Sequence, residues 1–97
     1  MNDKNYYVYI MSSKNNSTLY VGVTNNLLRR VYEHKNNMLD GFSKRYKTHK
    51  LVYFEQTNDV ISSINREKQI KKFTRTKQEN LINQKNSQRI DLSDQLL

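Results

Sequence analysis

The sequence predicts a small α/β (α+β) domain: a three-stranded, mainly antiparallel sheet flanked by about three helices, in the order β-β-α-β-α-α. Three observations carry this. Aromatic and aliphatic residues alternate over 5–12 and again over 17–23, which is strand spacing. Leu51-Val52-Tyr53-Phe54 is a third short apolar run with strand composition. Between and after these runs, apolar residues recur at helical spacing behind Asn, Asp and Thr residues that suit helix N-caps.

In the first strand Tyr6, Val8 and Ile10 take one face and Tyr7, Tyr9 and Met11 the other. Ser13-Lys14-Asn15-Asn16 reads as a hairpin loop. In the second strand Leu19, Val21 and Val23 share one face, and Thr18, Tyr20 and Gly22 the other. A four-residue loop places Ser12 opposite Ser17 and Tyr9 opposite Tyr20, side by side on one sheet face. Asn25 is the expected cap of a helix over about 26–36, with Leu27, Leu28, Val31 and Tyr32 as its apolar stripe and Arg29 spaced to pair with Glu33. Residues 37–49 read as polar and irregular. Asn58 or Asp59 caps a second helix to about Phe73, carrying Val60, Ile61, Ile64 and Ile70. Thr74 or Thr76 caps a third, with Leu81 and Ile82 inward. One domain over 1–85 is expected, with 86–97 as a C-terminal extension that frays or packs as an added turn.

The chain has 97 residues and 35% hydrophobic composition, enough for one modest core. It has no cysteine, which excludes disulfides and thiolate metal sites, and two histidines alone cannot close a zinc site. The first residues lack the apolar run of a signal peptide, and no stretch approaches a membrane span, so a soluble cytoplasmic protein is expected. Formal net charge is +8. Residues 29–77 account for all of it, with 13 Lys or Arg against five acids. A basic middle suits an anionic partner, most often nucleic acid; a solvated charged surface is the plain alternative.

Several side chains stand out chemically. Tyr9 is a phenol with an ordinary pKa near ~10 that a neighbouring cation would lower toward proton-transfer duty; on the residues alone, a packed strand aromatic is the simpler reading. Tyr20 could position water or a phosphate oxygen. Arg30 carries the planar donor fork that suits a phosphate gathering charge, and His34, four residues on, shares its helix face. Glu67 lies three residues after Ile64 and three before Ile70, which turns it toward the apolar side, where a lone carboxylate is costly. A hard divalent cation, or a salt bridge to Arg30 or another base, would relieve that cost.

Together these residues resemble the GIY-YIG nuclease family, in its small standalone subgroup. Tyr7-Val8-Tyr9 stands where that family has GIY, and Tyr20-Val21-Gly22 where it has YIG. Counting eight residues past Gly22 selects Arg30, in the position of the family's arginine, and four more select His34. Lys50-Leu51-Val52-Tyr53-Phe54-Glu55 and the segment Asn65 to Lys72, which contains Glu67, are similar to the same subgroup. The likeness runs from about residue 5 to 83. It departs in Tyr7 for the first glycine and in valine for both isoleucines, and Asn86 is the nearest counterpart of an asparagine many relatives have near their C-terminus.

The resemblance implies a metal-dependent endonuclease that hydrolyses phosphodiester bonds in DNA, preferred here over RNA, with little sequence specificity and a structure-selective role in repair or recombination as one use. It implies one divalent ion, Mg2+ or Mn2+, anchored by Glu67. Tyr9 is then the preferred general base, Tyr20 or His34 assists, and Arg30 stabilises the transition state. Lys44, Arg45, Lys47, Lys68, Lys71, Lys72 and Arg75 are the expected backbone-phosphate contacts. A monomer or weak dimer is expected. Two other classes fit the same composition: a nucleic-acid-binding module with weak or absent nuclease activity, and a protein-interaction domain with a basic face.

Overall fold

A computed structural model describes residues 5–39 and 41–96. Three strands form one antiparallel sheet: β1 (Tyr6–Ser12), β2 (Leu19–Thr24) and β3 (Lys50–Thr57), in the spatial order β2-β1-β3. The helices are α1 (Leu27–Lys35), a short α2 (Phe42–Tyr46), α3 (Val60–Lys71) and α4 (Arg75–Asn86), followed by a 3-10 helix over Leu92–Leu96. Among the described residues, no helix is long and apolar enough to cross a membrane.

The expected alternation of faces holds. Val8, Ile10 and Val21, with Leu19 and Val23 at the margin, pack against Ile70 of α3 and Ile82 of α4. Tyr9, Met11 and Leu51, with Tyr7, Tyr20 and Phe54 beside them, pack against Leu27 and Val31 of α1 and Leu92 and Leu96 of the 3-10 helix. Each strand of the sheet thus feeds two cores, and full burial of an aliphatic side chain contributes about 1.5–3 kcal/mol.

The hairpin register differs from the expected one. Tyr9 pairs with Gly22, Met11 with Tyr20 and Ser12 with Leu19, because the loop has six residues, 13–18, rather than four. The side chains of the loop explain its length. Ser13 Oγ accepts from the Thr18 amide (3.0 Å), Asn15 Oδ1 accepts from the Ser17 amide (3.2 Å), and Asn16 takes a left-handed φ of 64°. These local bonds replace two ladder positions. A shift of two preserves strand parity, so Tyr9 and Tyr20 still share a face, now as diagonal neighbours.

Other expectations are corrected by capping and packing. Asn26, not Asn25, caps α1, accepting from the Arg29 amide. Asp59 caps α3 and Thr74 caps α4. Residues 42–46, read as irregular, make one short helix. In α3 only Ile70 of the four named apolar residues is buried; Val60, Ile61 and Ile64 are exposed. The segment after α4 packs on the tyrosine face. Asn86 is buried and donates to the carbonyls of Val52 (3.1 Å) and Ile90 (2.9 Å), while its oxygen accepts from the Ile90 amide (3.1 Å). Asp91 binds Lys35 and accepts from the Leu51 amide (3.2 Å), tying the end of α1 to β3.

Replacing Asn86 with alanine strands these buried backbone groups, which costs about 1–3 kcal/mol. The expected outcome is a matching loss in unfolding free energy by urea titration; a change below ~0.5 kcal/mol would show that Asn86 does not join α4 to β3.

Candidate active site

The site begins with a backbone constraint. Tyr9 crosses from the central strand over Gly22 on the edge strand, so close that a Cβ on residue 22 would lie 2.5 Å from the Tyr9 Cζ. Glycine is required there by close approach. The ring passes through to α1, where the Tyr9 hydroxyl meets His34 Nε2 at 3.0 Å. Both side chains are buried.

His34 is held at its other nitrogen. Its Nδ1 lies 2.5 Å from Ser43 Oγ in α2, and Ser43 Oγ lies 2.7 Å from Thr48 Oγ1. Ser43 and Thr48 are buried as well. With the phenol donating to Nε2, the imidazole carries its proton on Nδ1 and donates to Ser43, which donates in turn to Thr48. Sequence reading missed Ser43 and Thr48 because their stretch has no periodicity; two small hydroxyl residues among lysines and aromatics were the signal available.

The electrostatics keep this chain neutral. Burial pushes the Tyr9 hydroxyl above the ordinary tyrosine range; Tyr20 adds to that, and the Arg30 charge pulls against it. Burial, then Arg30 and His49, lowers His34 from 6.5 to about 4. The proton therefore rests on the phenol at neutral pH, and the imidazole is its acceptor.

Tyr20 sits beside this pair, half-buried, with its ring 4.9 Å from the imidazole and 6.3 Å from the Tyr9 ring. Phe42 continues the cluster outward, 6.2 Å from Tyr20 and 4.7 Å from Tyr46. Arg30, rather than Arg29, pairs with Glu33: Nε and Oε1 are 3.1 Å apart. The carboxylate does not line up with the N–H, so this buried Nε lacks a hydrogen-bond partner among the described residues. The guanidinium thus rests between the Glu33 carboxylate and the Tyr9 hydroxyl.

Glu67 comes from the other layer. Its helix packs on the face opposite the tyrosines, and its partner is Lys71 (2.7 Å), not Arg30. The two layers meet around the edge strand: one depression is lined by Arg30 of α1, by Val23 and Thr24 of β2, and by Val60, Ser63 and Ile64 of α3. Glu67 follows Ser63 by one turn on the same side of α3, its side chain 13% exposed. Tyr9, Tyr20, His34 and Arg30 are thus drawn together, while Glu67 stays in the other layer, one helical turn beyond the Ser63 that lines the depression. No cluster of three or more His, Cys, Asp or Glu occurs among the described residues. A single hard oxygen donor, opposed only by a half-exposed lysine, suits an ion that keeps water and substrate oxygens as its other ligands.

The expected phosphate contacts fall on two sides. Lys44, Arg45 and Lys47 are exposed on and after α2; Lys68 and Lys72 are exposed at the end of α3, with Lys71 paired to Glu67. Arg75 differs. It pairs with Glu79 (2.7 Å) and donates to the carbonyls of Ser17 (2.9 Å) and Asn16 (2.6 Å), so its guanidinium braces the hairpin loop. His49, given no role, donates to Asn37 Oδ1 (2.8 Å).

Two tyrosine strands are followed by a helix that carries an arginine and a histidine, and a third strand leads to the helix of Glu67. Residues 5–86 match the GIY-YIG catalytic domain, and the chain belongs to the GIY-YIG family, whose substrates are nucleic acids. A UPF0213 protein of Clostridium perfringens is 40% identical over 79 residues, covering 81% of this chain and 84% of that one. A UPF0213 protein of Syntrophus aciditrophicus is 35% identical over 79 residues, covering 80% and 90%. The solution NMR structure of a UPF0213 protein from Bacillus halodurans has the same fold, with a TM-score of 0.57 at 25% identity over 87% of this chain and 88% of that one.

Gly22→Ala is expected to displace Tyr9 and lower stability by about 1–3 kcal/mol through overpacking; an unchanged melting temperature with an intact Tyr9–His34 bond by NMR would contradict it. The histidine also makes a pH prediction. Its folded pKa lies below its unfolded value, so the unfolded chain binds the extra proton between about 6.5 and about 4. Stability is then full above pH 6.5 and falls as the pH drops through that window. Thermal melts should show this, and His34→Gln should flatten the upper half of the window, above the range where carboxylates titrate.

Proposed function

We propose that this chain is an endonuclease that hydrolyses phosphodiester bonds in DNA with the help of one divalent ion, Mg2+ or Mn2+, held by Glu67. The observation that supports it best is the Tyr9–His34–Ser43–Thr48 chain, whose Tyr9 end lies beside Tyr20 and the Arg30 guanidinium. Packing alone does not call for a buried phenol–imidazole pair whose imidazole is anchored at both nitrogens.

In this reading the scissile phosphate lies against Arg30 and Tyr20, at the edge where both layers meet. Arg30 donates to the non-bridging oxygens as charge gathers on them, a role electrostatic preorganisation makes effective. Water attacks phosphorus, and the bond to the leaving oxygen breaks, that oxygen taking a proton from solvent as it departs. The proton of the attacking water passes to the Tyr9 oxygen as the phenolic proton moves to His34 Nε2. Ser43 and Thr48 keep His34 oriented for that transfer. Because burial disfavours both phenolate and imidazolium, the relay is idle in the free protein and needs an activated water to run. When bound at Glu67, the divalent ion supplies Lewis-acid activation of water and the phosphate.

The basic residues on either side of the site would hold the backbone, contacts that fix position without reading bases. A binding module with silent chemistry is the competing reading, favoured by the Glu67–Lys71 pair, which satisfies the carboxylate without an ion. Glu67→Gln separates the two. It is expected to abolish cleavage, by at least ~100-fold as for loss of a key electrostatic group, while DNA affinity is retained. Equal turnover by this variant and the unsubstituted chain, assayed with Mg2+ on duplex, single-stranded, flapped and branched DNA, would remove Glu67 from the mechanism. No cleavage of any substrate by the unsubstituted chain would favour the binding module.

A further inference from the structure

Beyond Tyr46 a groove of about 890 Å3 opens between the hairpin loop, the end of α1 and the segment from α2 to β3. Lys14, Lys35, Lys47 and Lys50 line it, against a single acid, Asp91. That acid is engaged by Lys35 and by the amides of Leu51 and Ser93. Lys14, Lys47 and Lys50 are left without a carboxylate partner among the described residues. Like charges gathered around one concavity repel one another, and a polyanion relieves that repulsion.

One further observation sets this groove apart from an ordinary solvated surface. Lys47 is the left-handed C-cap of α2, φ 53° and ψ 55°, its amide donating to the Ser43 carbonyl, so its side chain is fixed on the groove wall by the helix end. The groove adjoins the candidate active site through a continuous aromatic series: Tyr46 on Phe42 (4.7 Å), Phe42 beside Tyr20 (6.2 Å), Tyr20 beside His34 (4.9 Å). On the opposite wall, Arg75 braces the loop that carries Lys14.

We propose that this groove is a second phosphate-binding site, which takes the nucleic-acid backbone as it leaves the active site past Tyr20 and Tyr46, with Lys14, Lys47 and Lys50 as its contacts. It rests on the nuclease reading for the position of the scissile phosphate; its affinity for a polyanion does not require cleavage.

The test is fluorescence anisotropy of a short labelled DNA duplex in buffer with a chelator, titrated with salt between about 50 and 200 mM. Lys14→Gln, Lys47→Gln and Lys50→Gln are each expected to lower the slope of log affinity against log salt by about 0.9, and the triple variant by the sum. Lys85→Gln, on α4 away from the groove, serves as the control and is expected to leave the slope unchanged. Lys47→Gly keeps the left-handed cap while removing the charge, so it is expected to bind more weakly with an undiminished melting temperature; that separates a lost contact from a lost fold. A triple variant with the unaltered slope, or a Lys85 variant that loses as much as the groove variants, would overturn the site. Cleavage is scored separately with Mg2+: its absence from the unsubstituted chain, with the slopes changed as expected, would refute the nuclease reading and leave the groove standing.

Discussion

The passage of the Tyr9 ring across Gly22 sets the rest of the arrangement. It requires an absent side chain on the edge strand, a phenol on the central strand, and a register that puts the two opposite each other. Given that crossing, the hydroxyl arrives at α1 and His34 can hold it. The register comes from the hairpin loop, where Ser13 and Asn15 bind backbone amides that would otherwise continue the ladder. Arg75 then fastens the loop to α4. A few polar side chains in and beside the hairpin loop therefore decide where the phenol ends.

Much of this was legible in the sequence, for identifiable reasons. Strand alternation assigned Tyr9 and Tyr20 to one face, and that survived a register error because the error was even. Helical spacing put Arg30 and His34 together because four residues make about one turn. The Tyr9–Gly22 contact was not legible, since loop length depends on side-chain-to-backbone bonds that leave no periodic mark. Ser43 and Thr48 were missed for a similar reason: a five-residue helix has too few positions to show a stripe. Arg30, rather than Arg29, pairs with Glu33 because i,i+3 and i,i+4 partners are both within reach on a helix, and spacing alone does not choose between them.

The meeting of α1 and α3 follows from the sheet order. Because β2 is at the edge, the two helical layers can meet around it, and residues from opposite faces can border one depression. A central strand in that place would have kept them apart. The basic residues divide in the same way, some on and after α2 and others at the end of α3, so that positive charge flanks the edge from both layers.

The brace made by Asp91 has a consequence for how the molecule comes into being. Tyr9, Tyr20, Arg30 and His34 all lie within the first 34 residues, yet the frame that holds them is not local. β1 becomes a central strand only when β3 pairs with it, and the end of α1, next to His34, is tied to β3 through a residue 56 positions beyond Lys35. Contacts of such separation form late, because loop closure must precede them. A nascent chain carrying every one of those four side chains therefore lacks their final arrangement until the distant segments have folded back, and the topology itself makes the site one of the last things to be set.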